Sequence, residues 1–231
     1  MEIVKKQMTL HHTVSVIGGF MAGYTIINHS DILANAQTGN LIRLVLSAFE
    51  GNLLSIGYIV LLFLTYAASC IFYTVFRRYS PLSMKIVSLI VTALAICATG
   101  ILSLTGNSYL SVVPIAFAMP VQWNAYKKAG GNSSATIFSS NNVRQAVMLS
   151  TTYVMDRDKK ALRNAKFYWA TLLCFHTGVA AACLLSIFFA AQSVWFCFVL
   201  IGISVIAYYR YESAKIKAFS DILKGWRCAN P

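Results

Sequence analysis

The sequence predicts an all-α integral membrane protein with six transmembrane helices, on three observations. Of 231 residues, 58% are hydrophobic and only 11% charged, whereas a soluble domain carries about a quarter charged residues. Residues 7–30, 51–76, 86–126 and 167–209 hold no Asp, Glu, Lys or Arg at all. The basic residues, finally, gather on one side of the connections that these stretches define.

A bilayer core about 30 Å thick takes roughly 20 apolar residues per helix. The first two uncharged stretches therefore hold one span each, at 10–28 and 53–76. The last two are long enough for two apiece. Gly106-Asn107-Ser108 and Gln192-Ser193 supply the polar breaks, which gives spans at 84–105, 109–126, 167–190 and 193–210. Residues 156–166, DRDKKALRNAK, read as a charged linker that is solvated or lies on anionic lipid. In the tail, 211–231, Ile216, Phe219, Ile222, Leu223 and Trp226 alternate with lysines, as in an amphipathic helix at a membrane surface.

Charge fixes the expected orientation. Lys5 and Lys6 precede the first span, and Arg77, Arg78 and Lys85 lie between the second and third. The stretch from Lys127 to Lys166 and the tail carry the rest, so that Arg43 alone belongs to the opposite side. By the positive-inside rule both termini are cytoplasmic and the chain is multi-pass. A net charge of +12 could also mean nucleic acid, but neither a binding motif nor an aromatic-basic stacking pattern accompanies it. The partners expected are membrane lipids and an unknown small solute, with no nucleic acid. Gly19 and Gly23 at helical spacing allow close helix approach, and leave open whether the other half of the chain or a second copy, in a homo-oligomer, takes that place.

Cys70, Cys97, Cys174, Cys183 and Cys197 fall in spans without metal-site or disulfide spacing, and read as small packing residues. Nucleophile–base pairings and phosphate loops are lacking too, so the sequence predicts no enzyme, no catalytic residue, no metal and no cofactor. Ala34-Asn35-Ala36 has the small-residue pattern of a signal-peptidase site, yet the uncharged run before it is longer than the 7–15 residues of a leader's apolar centre and holds His11, His12, Gly18 and Gly19. That segment is expected to stay in the working protein.

Setting ANAQTGNLIR (34–43) against ATIFSSNNVR (135–144) aligns Ala34 with Ala135, Thr38 with Ser139, Asn40 with Asn141 and Arg43 with Arg144. Each decapeptide follows the first span of a three-span half, so the chain divides into repeats at about 1–105 and 106–210. Three spans is an odd number. The halves would therefore face opposite ways across the membrane, the inverted arrangement common among secondary transporters.

At these residues the chain resembles the YoaK family of uncharacterised bacterial six-span membrane proteins. SVIGGFMAGYTIINHSDILANAQTGNLIRL (15–44) is similar to that family's opening signature, in which a glycine-rich first span precedes Thr-Gly-Asn. AFAMPVQWNAYKKAGGNSSATIFSSNNVRQ (116–145) is similar to its second signature, Met-Gly-x-Gln-Asn-Ala followed by a Thr-Gly-Thr-like triplet. Thr38, Gly39, Asn40 and Gln122 match directly. Ala22 stands where the family has an acid, Pro120 and Trp123 replace its Gly and Asn, and Ser139-Ser140-Asn141 replaces the second triplet. The resemblance implies a six-span protein of the bacterial inner membrane and assigns no activity.

The candidate ligand-binding residues are Thr38, Gly39, Asn40, Arg43, Gln122, Asn124, Ser139 and Asn141. Thr38 or Asn40 suits a helix N-cap and Gly39 a turn of positive φ. A helix opening at membrane depth turns its positive end towards whatever lies there. Two readings stay open: a solute cradle formed by Asn40 and its counterpart Asn141, or a structural turn before a surface helix. Arg43 could fork to an anion or snorkel to head groups. Pro120 would kink the fourth span near Gln122 and Asn124. The functional expectation is transport of a small polar or anionic solute at the interface of the halves. The alternative is a non-transporting protein that binds lipid or a cytoplasmic partner through its basic face.

Overall fold

The structure is a computed structural model that describes the backbone of residues 2–29, 34 and 36–229, and their side chains except at Ser108 and 222–229. Asp31 and Asn35, and the side chains of Ile222, Leu223 and Trp226, lie outside the described residues. The described chain is helical apart from short connections and one two-stranded hairpin. Its helices are α1 (Glu2–Asn28), α2 (Gln37–Phe49), α3 (Leu53–Tyr79), α4 (Met84–Ser103), α5 (Ser108–Ala125), α6 (Ser140–Asp156), α7 (Lys159–Phe189) and α8 (Cys197–Ala229). The hairpin, β1 (Lys128–Ala129) and β2 (Asn132–Ser133), pairs Lys128 with Ser133, and its turn uses positive φ at Gly130 and Gly131. A 3₁₀ turn, Ala190–Phe196, joins α7 to α8.

Polar residues at the breaks stop and start these helices. Asn52 accepts from the Ser55 amide at the head of α3, and Asn107 accepts from the Tyr109 and Leu110 amides at the head of α5. Gly51 and Gly106, one residue earlier in each case, take positive φ, where only glycine is unstrained. Residues 156–166 depart from the expected linker. Arg157 ends α6 at φ 55°, Asp158 then accepts from the Lys160 amide at 2.7 Å, and Lys159–Lys166 becomes the first two turns of α7. A capping carboxylate outweighs the solvation of the lysines here. The tail from 211 continues α8 without a break.

Three segments are long and apolar enough to cross a membrane: Leu53–Tyr79, Met84–Ser103 and Lys159–Asp221, the last containing α7 and most of α8. Their outer faces expose large apolar side chains such as Ile71, Leu94, Leu173 and Ile187, more than a soluble surface tolerates. The core lies along α1 and α5. Phe20, Tyr24, Ile96, Ile115 and Met119 are fully buried in one cluster there.

α1 packs on α7 through glycine. A methyl placed on Gly19 would overlap the Phe175 carbonyl, and one on Gly178 would overlap the Val16 carbonyl. Gly19 faces Phe175 and Gly23 faces Val179 and Ala182, so the two helices run parallel. α5 holds Pro114 and Pro120 within its length. Each ring displaces carbonyls of the preceding turn. In the turn before each proline a neighbouring hydroxyl donates to a carbonyl: Thr99 of α4 to Ser111 O at 2.9 Å, and Ser69 of α3 to Phe117 O at 2.6 Å. Such hydroxyls are what makes proline tolerable in an apolar surrounding.

Gly19→Ala should cost about 1–3 kcal/mol, the usual range for overpacking, because backbone and not a flexible side chain blocks the methyl. Gly202→Ala, where nothing lies within 4 Å, should be neutral or stabilising. Thermal melts of the two purified variants in detergent check the difference. Ser69→Ala should lower stability by about 0.6 kcal/mol, as other hydrogen bonds between membrane helices do.

Candidate functional sites

Residues 134–138, Ser-Ala-Thr-Ile-Phe, run without helix between the hairpin and α6, and the first four are buried. Backbone in that state must find partners or lose several kcal/mol per group. Here side chains supply them. Asn142 of α6 donates to Ala135 O at 2.7 Å and to Phe138 O at 3.1 Å, and its Oδ1 accepts from Ser134 Oγ at 2.9 Å. The Ser134 hydroxyl proton is thereby committed, so the His11 ring nitrogen Nε2, 3.0 Å from Ser134 Oγ, is the donor in that pair. Gln122 of α5 donates to Val14 O at 3.2 Å and Thr136 Oγ1 at 3.3 Å, while its own Oε1, buried, meets no donor. Gly18 lets α1 lie flush on the Thr136 carbonyl, where a methyl would overlap it.

Two cavities lie at opposite ends of the seam between α3 and α5, called outer and inner after the orientation that the charges predict. The outer one, about 190 Å³, is lined by Asn40 and Arg43 of α2, Asn52, Ser55 and Tyr58 at the start of α3, and Tyr109 of α5. Tyr58 and Tyr109 meet edge to face at 4.7 Å, and the Tyr58 hydroxyl is buried without a hydrogen-bond partner. The inner cavity, about 370 Å³, is lined by Tyr73 and Arg77 at the end of α3, Ser83 and Lys85 at the start of α4, and Asn124, Lys127 and Lys128 at and beyond the end of α5. Tyr58 and Tyr73 are fifteen residues apart on one helix, about 22 Å at 1.5 Å per residue. Between the cavities the seam is shut. The Ser69 bond to Phe117 O crosses it, Tyr73 donates to Asn124 O at 3.1 Å, and Leu62 is fully buried.

The eight sequence-predicted residues do not converge on one point. Asn40 and Arg43 share the outer cavity and Asn124 lines the inner one, while Gln122 belongs to the buried network. Thr38 and Gly39 are exposed within α2. The expected N-cap and positive-φ turn at this triplet are not formed. α2 already starts at Gln37, the Asn40 amide donates to Ala36 O, and Gly39 is not among the glycines of positive φ. Once the first turn closes on Ala36, the triplet is helical and Asn40 falls on its buried face. Ser139 precedes α6 without a side-chain cap bond, and Asn141 is exposed, accepting from Arg144 at 3.2 Å. The buried asparagine of that turn is its neighbour Asn142. His176 bonds within its own helix, to Leu172 O at 2.8 Å.

Sequence reasoning missed His11, Ser134, Thr136 and Asn142, and both tyrosines of the outer cavity. A signal existed for Asn142: of two adjacent asparagines opening a helix, the one on the apolar face is buried. No signal pointed to Tyr58 and Tyr109, whose pairing depends on α3 lying parallel to α5.

Asn142→Ala strands two buried carbonyls and the Ser134 hydroxyl, and should cost about 1–3 kcal/mol. Asn141→Ala, one residue away and exposed, should stay within about 0.5 kcal/mol. Melting both variants beside the parent protein tests whether the network pins the segment.

A family model described as a protein of unknown function (DUF1275) matches residues 10–207. No curated protein and no solved structure matches the chain.

Proposed function

The chain belongs to the DUF1275 family of proteins of unknown function, and on that premise we propose that it is a six-span transporter of the bacterial inner membrane. In this reading two inverted halves carry a small polar or anionic solute along the α3–α5 seam. The single observation behind the reading is that this one seam, formed by a helix from each half, has a polar, cation-bearing cavity at either end and a closed centre. A path open at one end at a time needs both mouths and a breakable middle.

The helix directions support six crossings. α1 runs parallel to α7, and α3 runs parallel to α5, since Tyr58, Ser69 and Tyr73 meet Tyr109, Phe117 and Asn124 in order. α4 opposes α5, with Thr99 beside Ser111 and Lys85 beside Tyr126. α8 opposes α1 and α4, with Lys6 near Arg210 and Gly100 against Trp195. Six helices alternating in this way bring Lys6, Arg77, Lys85, Lys127 and Arg210 to one end and leave Arg43 at the other, which suits cytoplasmic termini.

The neighbours of each helix support the inverted halves. Each half carries four helices, α1–α4 and α5–α8. Exchanging the halves turns the α1–α7 contact into α5–α3, α1–α8 into α5–α4, and α2–α3 into α6–α7, and all of these pairs pack. The two equivalent seams differ in kind. α1–α7 is locked by glycines on bare backbone, whereas α3–α5 is held by single hydroxyl bonds and aromatic edges.

A panel of small organic acids, phosphate esters and sugars, assayed for uptake into proteoliposomes, tests the proposal. At least one solute should enter faster than into empty vesicles, and Arg43→Gln or Asn40→Ala should cut that flux about tenfold, the effect of losing a charge-assisted bond. Flux absent across the panel, or unmoved by both variants, would favour the non-transporting alternative. That alternative draws on exposed Lys159 and Lys160 at the head of α7, and predicts loss of lipid or partner binding when these and Arg163 are neutralised.

A further inference from the structure

We propose that the inner cavity of the α3–α5 seam is a binding site for a phosphate-type oxyanion carrying more than one negative charge. The inference deepens the transport reading and rests on it for the route by which the anion passes. Binding itself does not depend on that route.

The cavity gathers four cations from three separate parts of the chain: Arg77 from the end of α3, Lys85 from α4, and Lys127 and Lys128 from the entry to the hairpin. No acid lines it. Among the described residues the ion pairs are Glu2–Lys6 and Glu212–Lys215, and neither involves any of the four. Glu212 of α8 acts on Lys85 from outside the cavity, and pairs at 3.6 Å with Lys215. Like charges held around one concavity repel each other and focus the field within it. An anion relieves that repulsion.

The arrangement also suits a tetrahedral oxyanion over a monovalent halide. Lys85 is held in place, its ammonium 4.2 Å over the Tyr211 ring. Arg77, Lys127 and Lys128 are exposed arms around it. A guanidinium fork matches two oxygens of a phosphate, and lysines add point charges from other directions. Ser83 and Asn124 stand on the same wall as neutral polar groups. About 370 Å³ falls within the range of small-molecule sites, with room for a phosphate and a short organic body. The outer cavity has Arg43 as its one cation, so a multiply charged anion is held more tightly at the inner end.

Phosphate of this kind reaches the cytoplasmic mouth from two sources, a soluble phosphate or phosphomonoester and a phospholipid head group. The test melts the full-length protein in uncharged detergent with inorganic phosphate or glycerol 3-phosphate, against potassium chloride at equal ionic strength. In parallel it melts the protein in phosphatidylcholine discs with and without phosphatidylglycerol. Stabilisation should saturate with a phosphate compound, and its apparent Kd should weaken about tenfold or more in Arg77→Gln and in the Lys127→Gln/Lys128→Gln pair. Arg78→Gln, beside the site but not lining it, should leave it unchanged. Stabilisation by phosphatidylglycerol alone, lost in the same variants, would assign the head group as the source. Stabilisation no greater than that of chloride, or equal in Arg77→Gln, overturns the proposal. All four altered side chains are exposed, and the ligand-free melts report their folding. Phosphate binding without any solute flux would sink the transport reading and leave this site standing.

Discussion

Everything in the molecule hangs on the contact of bare backbone along one face of α1. Gly18 meets the Thr136 carbonyl, Gly19 the Phe175 carbonyl, and Gly178 of α7 returns the contact at Val16. In an apolar surrounding no hydrophobic force drives helices together, and association relies on close packing and polar contacts. Glycine in a helix is unfavourable by about 1 kcal/mol relative to alanine, so Gly18, Gly19 and Gly178 are retained only where the approach returns more. Here the approach lets a long helix from each half lie side by side, and lets a non-helical segment reach the core at all. Put a methyl on any one of them and either α7 or residues 134–138 must move outward.

The second constraint follows from the first. Once residues 134–138 are drawn against α1, their amides and carbonyls leave water and need partners from side chains. Asn142 donates to the Ala135 and Phe138 carbonyls, while Gln122 and His11, from two other helices, donate to the Thr136 and Ser134 hydroxyls. The kinked helix α5 solves the same problem in the same way, with Thr99 and Ser69 donating to carbonyls near Pro114 and Pro120. Many of the polar side chains of this core are therefore satisfied by backbone, and others keep buried atoms without a hydrogen bond. Gln122 Oε1 and the Tyr58 hydroxyl are two of them.

How much of this was legible in the sequence depends on range. The all-helical apolar character, the breaks at Gly106 and Gln192-Ser193, and the clustering of cations at one end follow from hydropathy and charge, which act locally. The head of α7 was misread because lysines look like solvent-facing linker, although Asp158 caps a helix through them. Thr38-Gly39-Asn40 looks like a cap on its own, but the turn closes one residue-set earlier, on Ala36. Asn141 was chosen over Asn142 because the alignment of decapeptides carries no information about which face is buried. The two cavities depend on α3 lying beside α5, a pairing across more than fifty residues that no local pattern encodes.

The difference between the two equivalent seams bears most directly on what the protein can do. Interfaces made of backbone on glycine have no side chain to rotate, and any separation loses all their contacts together. α1–α7 is of that kind at Gly19 and Gly178, with the Asn28–Ser186 bond and the His11 and His12 rings on Phe167 towards its two ends. α3–α5 is joined at its centre by the Ser69 hydroxyl and at its ends by Tyr58–Tyr109 and Tyr73–Asn124. Each such bond has a net worth of about 1 kcal/mol and can be exchanged for a bond to water or to a solute. On the transport reading, α3–α5 is therefore the seam expected to open, and it is the one that carries polar cavities at both ends.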